Sequence, residues 1–195
     1  MTTIHALTLA LGVVGFPAFL LSKRKTSSQP QHSHNNNNWL EQLRLDRNPY
    51  QSLRFLAITT PPYKYNGIQV DSVYGVVMDY PVKNGTGTLA SYITGECSLY
   101  MSNGSGIING EKHESVRLSA IDLVELASRN MSSAIPTTRY PAATNEFVRF
   151  YILTTEGVRT SWFRVSDLNR HEEGHALFAE ANKVIRAMQL TTVLN

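Results

Sequence analysis

Cysteine occurs once, at Cys97, so no internal disulfide can form. No second Cys and no His stands beside it at metal-ligand spacing, which suits a reducing compartment or indifference to redox. Acidic residues are missing from the start of the chain, where none precedes Glu41. Lys23, Arg24 and Lys25 lie in that stretch and account for the whole net charge of +3; from Thr26 onward the two signs balance. The basicity therefore belongs to one block and does not point to nucleic acid as a partner. The chain also lacks a G-x-S-x-G elbow and a Walker lysine followed by Ser or Thr. No acyl-transfer or nucleotide-hydrolysis motif is left to read, no catalytic residue is signalled, and no cofactor is expected.

What the chain does have is an apolar run at residues 4–21, broken only by His5, Thr8, two glycines and Pro17. A helix over that run rises about 27 Å, close to the roughly 30 Å of a bilayer's hydrocarbon core. A cleaved signal peptide would want a basic residue before the run and a small-x-small site after it, and neither is present. Lys23, Arg24 and Lys25 follow directly, which places the N-terminus outside and the rest of the chain in the cytoplasm. The expected organisation is a transmembrane anchor with its basic flank at 1–25, a linker at 26–38 and an α+β domain at 39–195. The linker, TSSQPQHSHNNNN, has no hydrophobic period and too little apolar surface to order itself. Its His32 and His34 read as part of that solvated tether.

Within the domain, Trp39, Leu40 and Leu43 recur at helical spacing and predict a short first helix ending at Asn48. Pro49 then suits the first position of a second helix, with Asn48 as its cap and Leu53, Phe55 and Leu56 as its inner face. Residues 73–80 (VYGVVMDY) predict a central strand covered on both sides. A turn at 81–87 and strands at 88–94 and 97–101 follow. Residues 111–131 carry Val116, Ala120, Leu123, Val124, Ala127 and Met131 on one side, the stripe of a helix packed on a sheet. After a crossing loop at 132–145, residues 147–154 and 158–165 predict a hairpin about Thr155, Glu156 and Gly157. Leu177, Ala181, Val184 and Met188 predict a closing helix that runs to about Leu190. The fold class is α+β, a single antiparallel sheet of about five strands flanked by helices and preceded by a transmembrane helix.

This order of helix, strands, helix, hairpin, helix over residues 39–190 resembles the roadblock/longin/profilin-like group, in which helices flank one antiparallel sheet. The resemblance implies a platform that dimerises or binds a protein partner. It carries over no catalytic residue. Residues 98–117 (SLYMSNGSGIINGEKHESVR) and 149–160 (RFYILTTEGVRT) look like a set of small uncharacterised bacterial proteins, which implies a bacterial origin and adds no chemistry.

Two segments invite a mechanism. His171, Glu172, Glu173, Gly174 and His175 spell H-E-x-x-H, which on a helix sets two imidazoles on one zinc with Glu172 as general base. Gly174 weakens the helix there, the motif straddles a helix start, and Glu180 at five residues from His175 points elsewhere. Phe178 and Ala181 also stand where the longer motif needs Gly and His. Residues 104–110 (GSGIING) sit between a strand and a helix, as a phosphate loop would, but Asn109 replaces the third glycine. Glu111 and Glu114 in the following turn repel an anion. The expected function is a membrane-tethered, cytoplasm-facing module that binds a protein partner or itself, and not nucleic acid. The alternative is a membrane-anchored zinc hydrolase using His171, Glu172 and His175.

Overall fold

β-branched and aromatic residues crowd the stretch VYGVVMDYPV, which forms β1 (Val73–Val82), the central strand of the domain. In the computed structural model the chain divides into two units, residues 1–35 and 36–195. The described residues, all in the second unit, are 49–65, 67–69, 72–130 and 132–193, with side chains as far as Thr191. The apolar run at 4–21, the block Lys23, Arg24 and Lys25, the linker histidines, the helix expected near Trp39 and Met131 lie outside them.

Beside β1 lie β2 (Gly85–Tyr92), β3 (Cys97–Met101) and β4 (Gly106–Ile107) on one side. On the other lie β6 (Phe147–Thr154), β7 (Gly157–Arg164) and β5 (Ile135–Pro136). The sheet order is β4-β3-β2-β1-β6-β7-β5, and every pairing is antiparallel. Seven strands stand where about five were expected. The two additions, β4 and β5, have two residues each, too few to show a period in sequence. The turn expected over 81–87 is also tighter, because Val82 pairs with Gly85 and leaves only Lys83 and Asn84 between the strands.

Helices cover both faces. α2 (Glu114–Arg129) and α3 (Glu172–Val193) pack together on one face. There Val116, Ala120, Leu123, Val124 and Ala127 meet Val76, Met78, Leu89, Phe150 and Ile152 of the sheet and Leu177, Ala181, Val184 and Met188 of α3. All the described members of the two expected stripes are buried. The lone Cys97 is buried in this core, its thiol pushed up to about 12 by burial and then by the charge of Glu111.

The opposite face is covered by α1 (Pro49–Ile58), and here the expectation fails. Leu53, Phe55 and Leu56 are 40 %, 41 % and 38 % exposed, while Tyr50, Arg54, Ala57 and Ile58 are buried. The inner face is chosen by a polar network. Arg54 donates from Nε to Asp79 Oδ2 (2.8 Å), with Nη2 2.6 Å from the same oxygen as an ion pair, and it also donates to the Tyr140 carbonyl (2.8 Å), to the Pro141 carbonyl (3.1 Å) and to the Tyr151 hydroxyl (3.2 Å). Thr88 Oγ1 donates to Asp79 Oδ1 (2.7 Å), and Tyr50 OH lies 2.9 Å from Thr88 Oγ1. Burial disfavours the Arg54 charge, but the Asp79 hydrogen bond and charge prevail, and its pKa ends above the ordinary value.

The far end of α1 is held by phenols. Tyr92 OH donates to the Ala57 carbonyl (2.9 Å), Tyr74 OH donates to the Thr60 carbonyl (2.7 Å), and Tyr65 stacks on Tyr92 with ring centres 5.4 Å apart. Burial, then the neighbouring Tyr140, pushes Tyr74 up to about 12; Tyr65 and Tyr92 are raised by burial first as well. An unfolded tyrosine ionises near pH 10. The folded values lie above it, so stability should be intact below about pH 10 and should fall as pH rises toward 12, where the unfolded chain sheds protons that the native state keeps. Urea midpoints measured across that window should drop as phenolate absorbance appears. A midpoint constant through pH 12 would contradict the tyrosine clamp.

Candidate functional site

The H-E-x-x-H segment lies at the junction of a 3₁₀ turn (Val165–Arg170) and α3. His171 is extended (φ −116°, ψ 99°), and the His175 amide donates to its carbonyl (2.8 Å), so the helix begins between the two histidines. His171, Glu172 and His175 are exposed. The middle residues have packing roles. Glu173 Oε2 accepts from Ser132 Oγ (3.2 Å) and the Ser133 amide (3.3 Å), fastening the chain beyond α2 to the start of α3. Gly174 lies flat against Phe163, where a Cβ would meet the ring at 2.7 Å. Among the described residues no three His, Cys, Asp or Glu side chains gather closely enough to hold a metal.

The glycine-rich bend contributes β4, and then Asn109 turns left-handed (φ 57°) into the 3₁₀ turn Gly110–Lys112 that precedes α2. Gly110 is buried against Cys97 Sγ, Met188 and Val116, all within 3.1 Å of where a Cβ would stand. Close packing of a strand on two helices accounts for that glycine.

A different cluster forms where β6 and β7 run together at the sheet's far corner. Thr155 and Glu156 alone separate the paired residues Thr154 and Gly157, so hydrogen-bonded pairs recur at every second position along the hairpin. Val158, Thr160, Trp162 and Arg164 accordingly turn their backbone groups away from β6. The first two are met by the Thr137 amide and by β5. Trp162 and Arg164 lie beyond the last residue that β5 pairs.

The side chains of this corner form a ladder. Arg149 faces Trp162 across the strands with its guanidinium 5.0 Å from the ring centre, and Arg164 faces Phe147 at the same distance. Trp162 is 46 % exposed. Arg164 also reaches Glu146 (2.5 Å), an exposed pair. Arg149 Nε is buried and has no hydrogen-bond partner. Asp79 stands opposite Arg149 on β1, but its carboxylate is held by Arg54 and Thr88.

On the reverse side of the same strand, buried Ser161 lines a cavity of about 120 Å³ with Ser133, Ile135, Trp162 and Phe163. Its hydroxyl has no protein partner.

No family model, curated protein or solved structure matches this chain.

The corner therefore has to be read from its own chemistry. It offers outward backbone donors and acceptors, a cation stacked on an exposed indole, and a small pocket with an unmet hydroxyl. Sequence reasoning found the hairpin but not the corner. The signal was Arg149 on one strand and Trp162 and Arg164 on the other, charged and amphipathic residues that alternation places on one face at the end of the hairpin away from its turn. Which edge β5 leaves bare depends on a two-residue pairing that has no sequence pattern.

Proposed function

We propose that this chain is a membrane-tethered, cytoplasm-facing interaction module whose partner adds a strand to the open edge of β7. The observation that carries the reading is the unpaired stretch at residues 162–164, flanked by an exposed Trp162 and by the Ser161 pocket. Unpaired strand edges are ready templates for another chain, and proteins usually blunt them. Here β5 blunts the edge for two residues and stops. Backbone pairing supplies affinity in such complexes, and pockets for alternate side chains supply selectivity. The element order that resembles roadblock, longin and profilin-like domains supports a platform role.

The tether rests on the apolar run at 4–21 and the basic block behind it. Among the described residues no helix is long and apolar enough to cross a membrane.

Arg164→Pro isolates the edge. Arg164 has φ −67°, which a proline ring adopts without strain, and its amide points away from β6, so the hairpin stays paired while one outward donor disappears. Tagged full-length chain should sediment with membranes and bring down a defined partner set. Arg164→Pro should lose that set, while Arg164→Gln, which keeps the amide and gives up only the guanidinium, should keep more of it than Arg164→Pro does. Full-length protein in the soluble fraction would refute the anchor. An unchanged partner set with Arg164→Pro would refute the edge.

A further inference from the structure

We infer that the strand received at the β7 edge is an acidic extended peptide, with carboxylates at alternate positions and a small hydroxyl-bearing or methyl side chain between them; this rests on the strand-addition reading above. Successive same-face residues of a strand lie about 6.8 Å apart. The two stacked guanidiniums, Arg149 on Trp162 and Arg164 on Phe147, belong to rungs of the hairpin two residues apart along β7, the first carried by β6 and the second by β7. A strand laid beside β7 presents its alternate side chains on the face that carries these two rungs.

Both cations have capacity to spare. No carboxylate among the described residues pairs with Arg149, since Asp79 opposite it is held by Arg54 and Thr88. The Arg149 guanidinium lies 5.0 Å from the ring centre of Trp162, a residue of β7. Arg164 is held by Glu146, a pair open to solvent on both sides and readily exchanged for another carboxylate. Planar guanidinium on an aromatic ring keeps its donor fork free, which suits bidentate carboxylates.

The intervening side chain of the incoming strand points to the other face. There the 120 Å³ cavity has room for only a small group, and the buried Ser161 Oγ lacks a partner. A serine or threonine fits both facts. A second copy of this chain fits poorly, because pairing β7 with itself brings Arg164 and Arg149 toward their own equivalents.

Full chain in detergent micelles, titrated against fluorescein-labelled extended peptides, tests this by polarisation. The probes are one Val-Thr-Glu-Ser-Glu-Thr-Val peptide and its two relatives with Gln or Lys for both Glu. The Glu peptide should bind, weaken with added salt, and lose about tenfold or more on change to Gln or on Arg149→Gln; it should fail against Arg164→Pro. Circular dichroism melts of each variant separate lost binding from lost fold, and Ser161→Ala gives a milder probe of the pocket. Equal binding of the Gln and Glu peptides, both blocked by Arg164→Pro, would overturn the acidic class and leave strand addition standing. Glu-peptide binding indifferent to Arg164→Pro and competed by inorganic phosphate would overturn the strand and leave a bare anion site. No binding of any peptide would overturn the acidic class, with the membrane pull-down deciding the edge independently.

Discussion

Asp79→Ala should destabilise the domain by about 3–5 kcal/mol, the cost of leaving one member of a buried ion pair without its counter-charge. Asp79 has no exposed surface and sits on the central strand. Its two oxygens take two contacts from Arg54 and one from Thr88. Without it, the buried Arg54 guanidinium keeps only two carbonyls and the Tyr151 hydroxyl, none of them charged. The loss is a large fraction of the roughly 5–15 kcal/mol that stabilises an ordinary domain. Because the pair lies between α1 and the sheet, the damage should appear as release of α1, seen as faster hydrogen exchange over residues 50–58. Replacing both partners by apolar residues, Arg54→Met with Asp79→Leu, should be less harmful than Asp79→Ala alone, since no charge is then stranded. Urea denaturation of the three variants reads both comparisons. A loss below about 1 kcal/mol for Asp79→Ala would mean that Arg54 escapes to solvent and that the network does not hold α1.

That network also explains what could be read in advance and what could not. The stripes Val116, Ala120, Leu123, Val124, Ala127 and Leu177, Ala181, Val184, Met188 consist of apolar residues alone, and their spacing identifies the buried faces unaided. In α1 the buried set is Tyr50, Arg54, Ala57 and Ile58, which also repeats at helical spacing. An arginine stands in the middle of it, and Leu53, Phe55 and Leu56 offer a more apolar choice. Only the carboxylate at 79 makes Arg54 an inward residue. A clue was present in VYGVVMDY, where an aspartate in a strand covered on both faces requires a partner. The partner's identity was not, because a contact across 25 positions has no local pattern. Two-residue strands escape for a related reason: β4 and β5 are defined by what they pair with. The candidate site inherits that blindness, since its open edge exists only where β5 ends.

Leu123→Ala should cost about 2–5 kcal/mol, through lost transfer energy and the cavity left behind. Leu123 is fully buried at the centre of α2, in the core that this helix shares with β1, β2 and α3. Neighbours on both sides are large and fixed in sheet or helix, so collapse into the vacancy is restricted and the upper part of the range applies. In a domain of this size about 2–4 °C of melting temperature follows each kcal/mol, which makes the shift plain in a thermal scan. Two companions calibrate it. Lys183→Ala removes an exposed side chain paired with Glu180 on α3 and should leave the melting temperature unchanged within error. Leu53→Ala deletes the same atoms as Leu123→Ala, but from a side chain 40 % exposed on the outer side of α1, and should fall well below it. If Leu53→Ala proved as costly as Leu123→Ala, something would have to cover the outer face of α1. If Leu123→Ala proved as mild as Lys183→Ala, α2 would not be packed on the sheet, and the layered arrangement that positions the β7 edge would fail with it.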